Sequence, residues 1–207
     1  MRRFLLLAPV LWGAALLIVR APLFRPHDVS AGTAIELDLQ GLVDGSALIL
    51  EARVASARCF ESSTGRIETE YRLDVDRTFW GTDLAERVVR LPGGVLADGR
   101  GLVLPGMPGV REGEDLILFL SAESPDGLRM PVGLAQGKLR VLTGMNGQRV
   151  LAREPASLST LSPGSGAHND ADGWEVLRYA ETLADLRAAV DRRRALDFDA
   201  PLEGRSR

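Results

Sequence analysis

Apolar and polar positions alternate over much of the chain. Residues 46–56, SALILEARVAS, place Leu48, Leu50, Ala52 and Val54 on one side and Glu51 and Arg53 on the other, the period of two that predicts a half-buried strand. Residues 67–76 repeat the pattern. Ile67, Thr69, Tyr71, Leu73 and Val75 alternate with Glu68, Glu70, Arg72, Asp74 and Asp76, and the polar stretch 61–65 between the two runs reads as a hairpin connection. An antiparallel pair follows.

Further strands are expected at 87–91, 115–121, 128–134, 138–142 and 149–152, separated by turn chemistry such as Pro125-Asp126-Gly127 and Asn146-Gly147. Asp115-Leu-Ile-Leu-Phe-Leu120 is apolar on both sides, as a strand covered on both faces should be. Two helices flank the strands. Ile35, Leu37, Leu39, Leu42 and Val43 lean to one side and predict a short helix ending near Gly41 to Gly45; residues 179–195 place Leu183, Leu186 and Val190 on one face, with Arg192 to Arg194 near the helix end. Short strands with no helical pattern between them predict a mostly β fold, closed into an antiparallel barrel.

The N-terminus carries a different pattern. Met1-Arg2-Arg3 precedes sixteen uncharged residues, 4–19, the basic and apolar regions of an export signal. Two fates stay open: cleavage near Ala31 or Ala34, or retention of residues 1–31 as an anchor touching the membrane only through 4–24, with Arg20 at the interface. Cleavage at Ala34 would leave an acidic body of net charge −6 in place of −3. The organisation expected is a leader or anchor at 1–31, a β-barrel at 35–153, a flexible linker at 154–173 rich in Ser, Pro and Gly, a helix at 174–196 and a disordered tail at 197–207.

Composition narrows the chemistry. With 26% charged residues, a pI of 5.5 and no basic run longer than Arg192 to Arg194, a nucleic-acid surface is not expected. A lone cysteine, Cys59, allows no internal disulfide. His27 and His168 stand apart, which leaves neither a histidine zinc set nor a Ser-His-Asp arrangement. His168-Asn-Asp-Ala-Asp-Gly173 echoes a calcium loop, but Tyr179 stands where the bidentate Glu belongs. Lys138, the single lysine, follows Gly137 with the wrong spacing for a phosphate loop and reads as a turn into a strand. Glu68, Glu70, Asp74 and Asp76 read as the solvated face of one strand. No cofactor, metal site or catalytic residue is expected.

Residues 91–109, LPGGVLADGRGLVLPGMPG, hold six glycines and three prolines, and long loops in small domains tend to be functional. Leu102, Val103, Leu104 and Met107 give the loop an apolar, adaptable surface; Leu102, Leu104 and Met107, with Trp80 at a strand exit, are the candidate partner-binding residues, and the bland alternative is a lid over the barrel end.

The Ala52-basic-Val54 strand, Tyr71 and Leu73, the Phe79-x-Gly81 exit, and the Leu91-Pro-Gly-Gly94 and Gly113-Glu114 to Leu120 segments together resemble netrin-like modules, including tissue inhibitors of metalloproteinases, and a group of exported bacterial proteins. The resemblance spans about residues 46–143. It implies an OB-like five-stranded barrel with helices at its ends. The metal-chelating N-terminal Cys of those inhibitors has no counterpart before Cys59. What remains is an exported, non-catalytic module that binds another extracytoplasmic protein, a secreted protease being the class the resemblance implies. The alternative is a structural envelope protein held by its N-terminal helix.

Overall fold

The computed structural model describes residues 33–154, 159–161, 167–168 and 174–199. The expected leader or anchor with His27, the tail beyond 199 and most of the linker, including residues 169–173, lie outside them.

In chain order the elements are β1 (Thr33–Ile35), α1 (Leu39–Asp44), β2 (Leu48–Glu61), β3 (Ile67–Trp80), β4 (Glu86–Pro92), β5 (Gly94–Val95), β6 (Gly101–Leu102) and β7 (Asp115–Leu120). After them come a 3₁₀ turn (Leu134–Gly137), β8 (Lys138–Thr143), β9 (Arg149–Arg153), β10 (Ser159–Leu161), β11 (Ala167–His168), β12 (Glu175–Arg178) and α2 (Tyr179–Asp199). Seven strands form one sheet in the order β12-β9-β8-β7-β2-β3-β4, every neighbouring pair antiparallel. The fold is mostly β, as the alternation predicts, with the C-terminal helix in place.

Pleating sends alternate side chains to two separate cores. On one face Leu48, Leu50, Ala52 and Val54 of β2 join Leu116, Leu118 and Leu120 of β7 and residues of β3 and β4. On the other, Ile49, Ile117, Phe119, Leu139 and Leu151 meet α1 and α2. β7 is therefore covered on both sides, and Leu116 to Leu120 are all buried.

α2 earns its place through Leu183, Leu186, Ala189 and Val190, a stripe at helical spacing that is wholly buried. The helix runs on to Asp199, so Arg192 to Arg194 lie inside it and not at its end, and from there Arg192 and Arg193 lock onto α1. Arg193 Nη1 donates to the Val43 and Ser46 carbonyls at 2.6 and 2.5 Å, satisfying acceptors that the end of a helix leaves open, and Arg192 Nε donates to Gln40 Oε1 at 2.8 Å. At its start, α1 is capped by Asp38, whose Oδ1 accepts from the Gly41 N–H at 2.7 Å.

The sheet is not closed into a barrel. The strand expected at 128–134 is the one closure needs, and it does not form. Gly127 carries φ 78° in the preceding turn, Pro131 has no N–H to give, and Gly133 and Leu134 sit at φ 67° and 59°, which turns the chain into the 3₁₀ segment. Only isolated bridges remain, Leu128 to Arg90 and Pro131 to Leu120.

Other expectations shift more modestly. The first helix begins at Leu39, with Ile35 in β1 because Asp38 stops it from starting earlier. β2 and β3 run fourteen residues each, and three register shifts in their ladder, the last between Val54 and Ser56, bend the pair. The C-terminal element expected at 174–196 opens as a strand, β12 pairing β9, before turning helical at Tyr179. Two short strands, β10 and β11, fall in the stretch expected to be linker.

Candidate functional site

The glycine-rich segment is built as a rooted lid carrying a hairpin tip. At its root the Gly93 N–H donates to Ile67 O at 2.8 Å and Thr69 Oγ1 donates to Gly93 O at 2.7 Å, stapling the end of β4 to β3. Gly94 follows at φ 131°, a conformation glycine alone adopts easily, and a Cβ there would lie 2.7 Å from Cys59 Sγ and against Thr69 Oγ1. β5 and β6 then pair, with Leu96 N–H on Arg100 O closing the turn and Arg100 bridging Asp98 and Glu61.

Beyond the hairpin the chain dives back. Gly106 and Pro108 are buried, and Met107 and Val110 pack against the core formed by Leu48, Leu73 and Leu118. Val54 and the 113–114 backbone exchange two hydrogen bonds, Gly113 N–H to Val54 O and Val54 N–H to Glu114 O. Beneath lies Lys138, buried along with its charge. Its Nζ meets Glu114 Oε1 at 2.8 Å, Glu154 Oε1 at 3.3 Å and the Gly109 carbonyl, while Arg140 Nε lies 2.6 Å from the same Glu114 oxygen as an ion pair without hydrogen-bond geometry. A buried ammonium is tolerable only when its protons are matched in this way. The one lysine thus ties lid, β8 and the end of β9 together.

The sequence candidates part company here. Leu102 stands on the exposed tip, Leu104 is half-buried and Met107 plugs the core. Trp80 is on the opposite side, packed against the helical core with the Arg193 guanidinium 4.2 Å above its ring. Val103, counted in the loop's apolar surface, is the most exposed apolar residue of the lid at 83%, whereas pattern reading passed over Val95, exposed at 62%. A valine on a strand-like run carries no mark of exposure until pairing assigns its face.

The carboxylates also need correcting. Glu68 is buried between Arg66 and Arg90, each 3.6 Å away, and Glu70 meets Arg58 at 3.5 Å, whereas Asp74 sits opposite Glu86 in the ladder. Glu51, expected on a solvent face, is 1% exposed. It accepts from Arg149 Nη2 at 2.5 Å and from the Tyr179 hydroxyl at 2.7 Å, and pairs with Arg77 Nε at 3.2 Å. Among the described residues no three His, Cys, Asp or Glu side chains stand where they could hold a metal.

Burial raises the Tyr179 phenol above its ordinary 10.0, and its hydrogen bond to Glu51 adds to the shift; burial likewise raises Tyr71. A raised phenol binds its proton more tightly in the folded than in the unfolded chain. Its contribution to stability is therefore complete below pH 10 and is lost as pH climbs through the folded value. Denaturant midpoints measured from pH 8 to 12 should hold level to about 10 and then fall, and Tyr179→Phe should shallow that fall. An alkaline limb as steep in the variant as in the parent would refute this assignment.

Compared with known families and with curated proteins, the chain matches no family model and no curated sequence.

Proposed function

We propose that the chain is an exported, non-catalytic β module of OB or netrin-like type that binds another extracytoplasmic protein through the β5–β6 tip. The observation that carries this reading is the contrast within one loop. Its root is fixed by Gly93, Met107 and the Lys138 network, while Val95, Leu102 and Val103 are left in solvent at its tip. Folding alone would bury such residues; holding them out on an ordered frame suits a partner, because little conformational entropy is left to lose on docking.

The grouping of four strands supports the OB comparison. β2, β3, β4 and β7 gather around one apolar cluster, and the segment bearing Leu128 and Pro131 reaches across from β4 to β7. The exported location rests on the apolar segment at 4–19, and the partner class on the netrin-like resemblance.

The test is capture of envelope and secreted proteins on the full chain, beside a Val95→Asp/Val103→Asp variant. Both sites are exposed, so the variant should melt within about 2 °C of the parent. A partner held in near-stoichiometric amount should be lost at least about thirtyfold in the variant, the scale of a hot-spot residue. Equal capture by both proteins overturns the tip as the contact. A blank for both favours the structural reading over the binding one.

A further inference from the structure

We propose that the chain pairs with a second copy of itself along the outer edge of β12, extending the seven-stranded sheet antiparallel across a two-fold axis. This surface lies apart from the β5–β6 tip and does not depend on it.

β12 ends the sheet, and among the described residues no strand pairs with its outer side. An open edge is an invitation to pair, and proteins that stay monomeric blunt it with proline, lysine or a bulge. β12 has none of these and is guarded by its four-residue length and the charges of Glu175 and Arg178. Its ladder with β9 runs unbroken from Glu175↔Arg153 to Arg178↔Val150.

One face of the edge is also apolar and uncovered. Trp174 is 48% and Val176 65% exposed, and Leu142 of β8 lies on the same face, one ladder step from Arg140, which stacks on Trp174 at 5.4 Å. The Arg178 guanidinium, on that face as well, pairs with Glu181, and that pair is exposed on both sides and costs little to exchange.

Symmetry then fixes the register. In an antiparallel pair, residues directly opposite each other share a face, so a two-fold axis must pass through a residue pair of equal number. Centring on Val176 sets Val176 against the second copy's Val176 and places Trp174 against the second copy's Arg178 at both ends. These are an aliphatic cross-strand pair and two guanidinium–indole contacts. Centring on Leu177 instead sets Val176 against arginine and leaves Trp174 unmatched. On this face the strand is thus more complementary to itself about Val176 than about Leu177. Five residues of pairing on each side, 174–178, bury less than a standard interface, so the dimer should be weak and concentration dependent.

The register supplies the test. In the full chain with Cys59→Ser, Val176→Cys places two thiols across the axis with Cβ atoms about 5 Å apart, close enough to bridge after a small shift. Mild oxidation should give a disulfide dimer at least about tenfold faster than Met145→Cys, a fully exposed turn residue reporting random collision. Adding Arg178→Ala or Trp174→Ala should slow the Val176→Cys reaction severalfold without lowering the melting temperature. Association through the apolar N-terminal segment alone would leave positions 145 and 176 equally reactive. Equal reactivity, or a rate untouched by Arg178→Ala, overturns the proposal.

Discussion

Replacing Glu51 by alanine should cost about 3–4 kcal/mol of folding stability and lower the melting temperature by about 10 °C. The carboxylate is the one anion between two guanidiniums, Arg77 at 3.2 Å and Arg149 at 2.5 Å, and it also receives the Tyr179 hydroxyl. Removing it takes away three charge-assisted contacts and leaves two like charges facing each other beside the helical core. Relief is partial, since Arg77 and Arg149 keep 37% and 35% of their side chains in solvent and can turn toward water. The control is Asp115→Ala, which breaks an exposed pair with Arg53 and should cost under about 1 kcal/mol. Denaturant titrations of both variants decide the matter; a Glu51 variant no weaker than the Asp115 variant would mean the buried carboxylate contributes nothing.

Gly94→Val is the second large effect, with a different form. Backbone at φ 131° is foreign to a branched residue and costs about 1–3 kcal/mol, and the new side chain would press on Thr69 and Cys59 for about as much again. The full sum need not appear in the melting temperature. The lid can peel from its root while the sheet survives, so global loss is capped by the free energy of opening residues 93–110. The expected signature is rapid proteolysis within that stretch and a thermal midpoint lowered by only a few degrees. Cooperative loss of the whole fold with no early cleavage would show lid and sheet to be one unit.

What alternation can reveal is which residues share a face, not what later covers that face. β2, β3 and β7 were legible for this reason, and so was α2 from Leu183, Leu186 and Val190. Glu51 and Glu68 were misread because each occupies the polar phase of a well-formed strand. The groups that bury Glu51 arrive from Arg149 and Tyr179, about a hundred residues or more downstream. The turn into a strand at Lys138 was read, but its burial was not, its partners Glu114 and Glu154 standing just before β7 and just after β9. The failed strand at 128–134 was readable in principle, since Pro131 and Gly133 stand inside it, yet its apolar residues outweighed them. Within the candidate site the loop was found and its apolar character recognised, but only pairing distinguishes Met107 as a plug from Val103 as a tip.

The grip of Arg193 on the Val43 and Ser46 carbonyls joins positions 150 and 147 residues apart. A chain released from the ribosome in order makes its β2–β3 hairpin early, yet the face bearing Ile49, Ile117 and Phe119 has only the short α1 to cover it until α2 arrives. Closing so distant a contact is slow, and the half-built sheet waits meanwhile with that apolar face open. Synthesis order thus sets an interval in which the nearly finished chain is at its stickiest, and a holding chaperone would find its substrate in that interval.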